Sequence, residues 1–469
     1  MKLKSGGTNR KKPFSDGLIR GALIISLGGF VTKILGAFYR VPLTNILGAQ
    51  GLGLYQAVFP VYCLMLTASS TGVPSGISKL IAEGEDKFTA LKSALAVFLP
   101  VGLFLGALMA AFSGAIASLQ GSPQSKAAYA AIAPSVALVG AISCFRGFFQ
   151  GQTEMKYTAV SQIIEQTFKL AAGLSVSSAL RKNAVLAAAG AAGAVTLAEA
   201  AALIYLAVAY KVKVGGFSDL IKAELKVKKI IKTVVPVTLS VSALPVIKTI
   251  DSFLILNVLG GYLGNATRLY GLYSGATESL IGVPVSLLYG FAATGIPVIA
   301  KLKSDNIQRE KECRKAIVLT LIPSILFSAA TFLFAPLAVE ILYSALPASE
   351  KAVTVHMLKI AAPTIIVLSL MQTASAELIA LDKIYAPFFS SVSGGAVKLT
   401  LSYILLKTPA VNVYGAIISD IAGYFVACLI NLVYIKKTNK TKESFNEQTY
   451  DSGLGAQGRG YYRKGRESG

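Results

Sequence analysis

The sequence predicts an all-α integral membrane protein: about twelve transmembrane helices in two parallel six-helix lobes, with both termini in the cytoplasm. Three observations predict it. The chain is 54% hydrophobic and only 14% charged, against roughly 25% charged in a soluble globular chain. Apolar windows of about 20 residues, the length that crosses a bilayer as a helix, recur from end to end. Runs such as Ala94 to Ala117 lack the alternation of barrel strands. Finally, Lys and Arg gather in alternate loops, the pattern that orients polytopic proteins.

Residues 1–16 form a basic cytoplasmic segment with Lys2, Lys4, Arg10, Lys11 and Lys12. The first apolar stretch, 17–39, begins like a signal peptide. It runs too long, lacks a small-x-small cleavage site and carries Lys33, so a retained span is expected. Further spans at 53–81, 89–119, 128–149, 157–179 and 184–210 complete a first lobe, 17–210. A basic cytoplasmic linker, 211–228, follows. The second lobe, 229–436, has spans at 229–258, 269–300, 312–343, 354–380, 386–407 and 411–435. Kinks are expected at Pro60, Pro74, Pro284 and Pro297. The tail, 437–469, is polar, rich in Gly, Ser, Lys and Arg, and expected to be a disordered cytoplasmic segment.

With the amino terminus inside, the inner loops hold Lys87 and Lys92, then Arg146 and Lys156, six lysines from Lys211 to Lys229, six bases from Lys301 to Lys315, and Lys383. The outer loops hold only Lys126, Arg181, Lys182, Arg268, Lys351 and Lys407. This asymmetry accounts for the net charge of +22 without nucleic acid as a partner. The halves also echo each other. Thr71-Gly72-Val73-Pro74 with Lys79-Leu80 matches Thr294-Gly295-Ile296-Pro297 with Lys301-Leu302, and Tyr157 with Lys169-Leu170 matches Tyr385 with Lys398-Leu399. Six spans per half give both halves one orientation, a parallel repeat about an axis normal to the membrane.

Charges inside the spans carry the functional signal, since each costs roughly 3 kcal/mol at membrane depth and must face a wet interior. Lys33 and Arg40 lie two turns apart on one face of the first helix. For Arg40, snorkelling to the interface is the plain alternative. Lys248 and Asp251 are one turn apart and able to pair. Glu165 and Lys169 have i,i+4 spacing and are expected to neutralise each other. Lys398 occupies the repeat-related position but has no acid four residues before it, which leaves it open to an anion. Glu278, Glu199, Glu377 and Asp420 are acidic candidates for coupling. Gln162, Gln166, Asn257 and Gln372 suit sugar hydroxyls, although helix-to-helix hydrogen bonding is the commoner use.

Enzyme signals do not stand out. His356 is the one histidine, and no HExxH, GxSxG or Walker motif occurs. The GxGxxG match at Gly453–Gly458 lies in the tail with no strand before it. Cys63, Cys144, Cys313 and Cys428 are scattered, which implies neither a disulfide framework nor a metal site. Gly102 and Gly106 read as close helix packing.

Thr32-Lys33-Ile-Leu-Gly36-Ala-Phe-Tyr-Arg40-Val-Pro42-Leu, followed by Leu47-Gly-Ala-Gln-Gly51-Leu-Gly-Leu-Tyr55, closely resembles the start of one branch of the multidrug/oligosaccharidyl-lipid/polysaccharide (MOP) exporter superfamily. That branch contains stage V sporulation protein B and the polysaccharide transporters, and is related to the lipid II flippases. The segment Thr71–Leu80 fits it too. The resemblance implies a MATE/MOP-like fold and a flippase that moves undecaprenyl-diphosphate-linked oligosaccharide or peptidoglycan precursors across the bacterial cytoplasmic membrane. Lipid II flippases are expected to use a cationic central cavity. Their first-helix arginines fall at about Lys33 and Arg40, and their acidic and basic residues in the eighth helix map near Glu278 and Ser279, so serine stands where a base is expected.

On that reading Lys33, Arg40, Lys248 and Lys398 hold the diphosphate, while Asp251, Glu278, Glu165, Lys169 and Gln166 line the cavity or couple transport. No cofactor is expected, only coupling to the membrane potential, H+ or Na+. The expected partners are the lipid-linked sugar and membrane lipids, with envelope-synthesis enzymes in addition. Two alternatives stay open: a cation-coupled multidrug antiporter of the same fold, and a non-transporting scaffold that recruits wall or capsule enzymes through its basic tail.

Overall fold

The structure, a computed structural model, describes the backbone of residues 14–301, 306–383 and 385–461. Side chains are described for 38–239, 241–289, 308–383 and 385–438, with Thr32, Leu35 and Gly36. Among the described residues every regular element is helical. In chain order they are α1 (Phe14–Leu66), α2 (Val73–Ala82), α3 (Lys87–Ala111), α4 (Ser113–Leu119), α5 (Lys126–Gly151), α6 (Met155–Ala179), α7 (Ala184–Val214), α8 (Ser218–Lys222), α9 (Val227–Val241), α10 (Ala243–Gly260), α11 (Ala266–Tyr270), α12 (Glu278–Lys301), α13 (Asn306–Leu342), α14 (Ala348–Ala361), α15 (Thr364–Ala380), α16 (Tyr385–Leu406) and α17 (Tyr414–Tyr461).

Eight helices among the described residues are long and apolar enough to cross a bilayer, or nine if α14 and α15, bent by 45°, form one span. The expected spans at 17–39 and 269–300 fall partly outside the described side chains. Helix α6 falls short because Gln162, Glu165, Gln166 and Lys169 interrupt its middle. The apolar surface fits a lipid environment: Leu103, Phe104 and Phe112 on and beside α3, and Leu326, Leu333 and Phe334 on α13, are all more than half exposed.

Local geometry departs from the sequence expectations in specific places. The connection expected between the first two spans is helical. Only Gly48, at φ 61°, interrupts α1, a left-handed conformation that glycine adopts without strain. The ladder widens to π spacing at Thr67–Thr71 and again at Gly271–Thr277, just before α12. Pro60 lies inside α1, and Pro74 sits in the first turn of α2, where no helical N–H bond is lost. Pro284 and Pro297 lie inside α12, the side chain of Pro297 outside the described residues. The span expected at 229–258 is two helices, with Pro245 in the first turn of α10. Half of the 211–228 linker is the end of α7 and the short α8; the carbonyls of Ile221, in α8, and Ala223, just after it, accept from Lys92 Nζ. Helix α17 carries helical backbone through the expected disordered tail as far as Tyr461.

The chain packs as two units. The first holds residues 1–283 with 336–356, the second 284–335 with 357–469. In the first, α5 is the buried hub against α2, α3 and α7, and Ile77, Leu91, Phe148, Tyr210 and Val234 fill its core. A Cβ at Gly106 would sit 2.8 Å from the Ala133 carbonyl, so the Gly102/Gly106 pair serves close packing as expected. A sharper case is Gly271, where a Cβ would lie 2.4 Å from Ala49 O and 2.5 Å from Gly53 N. Here the π segment and α1 touch backbone to backbone. In the second unit, α17 packs along both α15 and α16.

Candidate functional site

An apolar helix that carries a base must give it water, a counter-charge or an aromatic face. Lys33 belongs to α1, but its side chain lies outside the described residues. Arg40, further along α1, is exposed and donates from Nη1 to Ser279 Oγ at 3.0 Å. Ser279 stands in the first turn of α12 and donates in turn to the Gly275 carbonyl. Among the described residues no carboxylate reaches ion-pair distance of Arg40. Serine in place of a base at 279 therefore gives the guanidinium a neutral anchor and leaves its other N–H groups free of carboxylate.

Lys248, on α10, is exposed, and its Nζ lies 3.2 Å from Glu278 Oε1. The other Glu278 oxygen accepts from Ser274 Oγ at 3.1 Å. This ion pair is partly solvated, so its contribution is at most about 1 kcal/mol. Asp251, one turn beyond Lys248, is 5% exposed.

Lys169 corrects an expectation. Glu165 does not neutralise it. Instead Arg146 of α5, expected in an inner loop, reaches Glu165 Oε2 with Nη2 at 2.9 Å. Its Nε donates to Ser161 Oγ at 3.0 Å, and Gln166 Nε2 donates to Glu165 Oε1 at 3.1 Å. A planar guanidinium with two aligned acceptors outcompetes a flexible ammonium for the same carboxylate. Lys169 lies instead over the rings of Tyr39, at 5.4 Å, and Phe59, at 5.8 Å. No described carboxylate is at ion-pair distance of it. Ring faces attract a cation without cancelling its charge.

These bases converge. Lys169 lies over Phe59, one turn before the exposed Cys63 on α1, and over Tyr39 beside Arg40, while Thr249, next to Lys248, donates to the Pro60 carbonyl of α1. Lys169 is in turn within reach of Arg40, Glu165 and the buried Glu199 of α7. All of this lies in the first unit. Such a cluster can hold a phosphate-like anion by charge-assisted hydrogen bonds from Arg40 and Lys169.

Lys398 is the second correction. It was expected to be open to an anion. Its Nζ is 2.5 Å from Asp420 Oδ1, and both side chains are 6% exposed. The reason is the helix crossing. A Cβ at Gly394 would lie 2.4 Å from the Gly423 carbonyl, so α16 and α17 run close enough to press lysine onto aspartate. The counter-charge comes from the next helix, where i,i+4 reasoning on α16 does not look. Sequence reasoning also missed Arg146, Tyr39 and Phe59 as parts of the site. The one available signal was an arginine directly after the apolar run ending at Cys144-Phe145.

The sequence profile of the family described as "Polysaccharide biosynthesis protein" matches residues 18–303, and that of "Lipid II flippase MurJ" matches 290–455. Among curated proteins, stage V sporulation protein B of Bacillus subtilis (strain 168) is 25% identical over 444 residues, covering 89% of this chain and 83% of that protein. Lipid II flippase MurJ of the same organism is 27% identical over 462 residues, covering 90% and 83%. Among solved structures, an inward-facing multidrug resistance MATE family transporter of the MOP superfamily superposes with a TM-score of 0.78 at 15% identity, over 88% of this chain and 96% of that one. Lipid II flippase MurJ in an inward closed conformation gives 0.70 at 16% identity, over 89% of each chain. The fold is therefore of the MATE/MurJ kind.

Proposed function

This chain belongs to the polysaccharide biosynthesis protein family, as a multi-pass protein of the bacterial cell membrane in the MOP superfamily, and from that premise we propose that it is a flippase for undecaprenyl-diphosphate-linked saccharides. The observation that carries the reading is Lys169 lying over Tyr39 and Phe59 of the helix that bears Arg40, with Lys248 brought to the same helix by the Thr249–Pro60 hydrogen bond; among the described residues neither Arg40 nor Lys169 has a carboxylate at ion-pair distance.

A lipid-linked sugar has a diphosphate, a bulky polar head and a long hydrocarbon tail. The head needs a wet cationic chamber, and the tail stays in lipid if that chamber opens sideways. Arg40 supplies forked N–H donors to phosphate oxygens, and Lys169 a second cation with rings beside it for apolar sugar faces. Lys248 joins when the anion displaces Glu278. Charge-assisted hydrogen bonds contribute about 1.5–3 kcal/mol each, net of the water they replace, and a wet chamber leaves the rest of the diphosphate hydrated. Lys33 is a further candidate on the same helix. About twelve spans in two parallel lobes, with both termini inside, allow alternating access by rocking. The membrane potential, about 2.3 kcal/mol per charge per 100 mV, or a gradient of H+ or Na+, drives the cycle.

The MATE-like fold keeps the drug-antiporter reading in view. Two uncompensated bases repel the cationic drugs such a pocket would take. The deciding experiment is translocation in proteoliposomes, with a panel of undecaprenyl-diphosphate sugars against a cationic dye. Flipping of at least one lipid-linked sugar, lost in an Arg40→Gln/Lys169→Met double variant, is the expected result. Dye efflux without lipid flipping overturns the proposal, and so does an envelope phenotype that survives in the double variant, which points to a scaffold.

A further inference from the structure

The second unit contains a carboxyl that the anion site does not use. Glu377, on α15, is 2% exposed, and among the described residues neither of its oxygens has a partner in good hydrogen-bond geometry. Its immediate surroundings are Cys313 on α13, with Ala380 and Leu381. The Cys313 thiol, a weak donor, lies beside the carboxyl. The charges nearest this thiol, Arg309 and Glu310, belong to the same end of α13. From the other elements packed on α15, α17 presents Cys428 and Leu432, and α16 presents Ala386, none of them charged.

An ionised carboxylate at this burial, with at most a weak thiol donor beside it, costs far more than one side chain can recover elsewhere. The position is stable only when something positive is bound. A hard metal cation needs several oxygen ligands, whereas the group beside the carboxyl is a thiol, with the positive, buried Arg309 on the same end of α13. No metal-holding cluster occurs among the described residues. A proton needs one oxygen and no further ligand.

The carboxyl also heads a polar stripe. Thr373, one turn away, shares a hydrogen bond of 3.0 Å with Thr320 of α13. Ser369, one turn further, is 1% exposed with its hydroxyl oxygen unpartnered. Hydroxyls at i,i+4 spacing behind a carboxyl form one face of α15, set against α13. Intramembrane acids arranged with other polar groups are a recurring form of proton site.

We propose that Glu377 is a proton-binding site of the second unit. A proton from the aqueous phase adds to one carboxylate oxygen, an O–H bond forms and the group becomes a neutral acid. Release reverses the step, with the proton returning to water, so charge and atoms balance without a co-reactant. The inference does not depend on which substrate the first unit carries.

Infrared difference spectroscopy between acidic and alkaline pH, on the full chain in lipid nanodiscs, tests it. The expected result is a carbonyl band of a protonated carboxyl that fades as pH rises. It should be missing in Glu377→Gln and displaced in Glu377→Asp, the second variant serving if the first folds poorly. An unchanged band in both variants overturns the proposal, as does a band that responds to Na+ at fixed pH instead of to pH. If transport is observed, Glu377→Gln should remove its dependence on a pH gradient while leaving retention of the diphosphate headgroup within twofold. Loss of headgroup binding with the pH response intact also overturns it.

Discussion

Lys169 and Lys398 follow similar short sequences, each about a dozen residues after a tyrosine (Tyr157 and Tyr385) and directly before a leucine, yet the fold treats them in opposite ways. Lys398 is closed off against Asp420 at 2.5 Å, with both side chains 6% exposed. Lys169 keeps its charge open, over Tyr39 and Phe59, because Arg146 has taken the carboxylate beside it. The difference shows that a base in an apolar span is not functional by position. Its role depends on which neighbouring helix brings an acid within reach. In the second half α17 brings Asp420. In the first, α5 brings an arginine that removes an acid from competition.

Breaking the closed pair gives the largest expected effect. Lys398→Ala removes the buried counter-charge of Asp420, a loss of about 3–5 kcal/mol, read as a fall in the thermal midpoint of the purified protein. Replacing both partners with apolar side chains, Lys398→Met with Asp420→Leu, is expected to restore most of that stability. If Lys398→Ala unfolds no more easily than the unsubstituted protein, the pair does not matter to the fold and the contrast fails.

The open lysine should behave in the reverse manner. Lys169→Met forfeits only the ring contacts, about 0.5–2 kcal/mol, while affinity for a diphosphate headgroup falls roughly tenfold per lost charge-assisted contact, by about 1.4 kcal/mol. Headgroup binding and thermal stability measured on one sample separate the two. A large stability loss with unchanged binding would make Lys169 a structural residue like its counterpart.

The smallest effect is at the aqueous edge, where Glu85 joins Lys226 at 2.9 Å and also Lys229. The bonds from Lys229 and then Lys226 hold the Glu85 carboxyl below its usual value. A depressed folded value means that the contribution is fully present above the ordinary carboxylate value. It is lost as pH falls through the folded value, in the acid range below about pH 4. Amide protection around residues 83–93, measured against the intrinsic exchange rate at each pH, should fall in that window, and Glu85→Gln should show the reduced protection already at neutral pH. A rate that rises toward alkaline pH beyond the ordinary base-catalysed trend contradicts the assignment.

Much of the fold was legible. Long apolar windows marked most helices, the Gly102/Gly106 spacing marked a close crossing, and the segment around Arg40 marked the family. The site was less so. Periodicity relates residues on one helix, and so it suggested Glu165 for Lys169. The actual partners, Arg146, Ser279 and Asp420, come from other helices, at distances that depend on glycine crossings such as Gly394 with Gly423. The helical passage through Gly48 escaped for the opposite reason, because Asn45, Gly48, Gln50 and Gly51 within one short stretch read as a turn.

The widened ladder at Gly271–Thr277 ends on the residue before Glu278. A π turn takes in one residue more than an α turn, and each residue advances a helix by about 100°. Tightening that segment by a single register would therefore screw Glu278 and Ser279 around the helix axis together, withdrawing the acid from Lys248 and the hydroxyl from Arg40 in one movement. Two of the three bases around Cys63 would be uncovered by a click in the backbone, with no side chain having to change its rotamer.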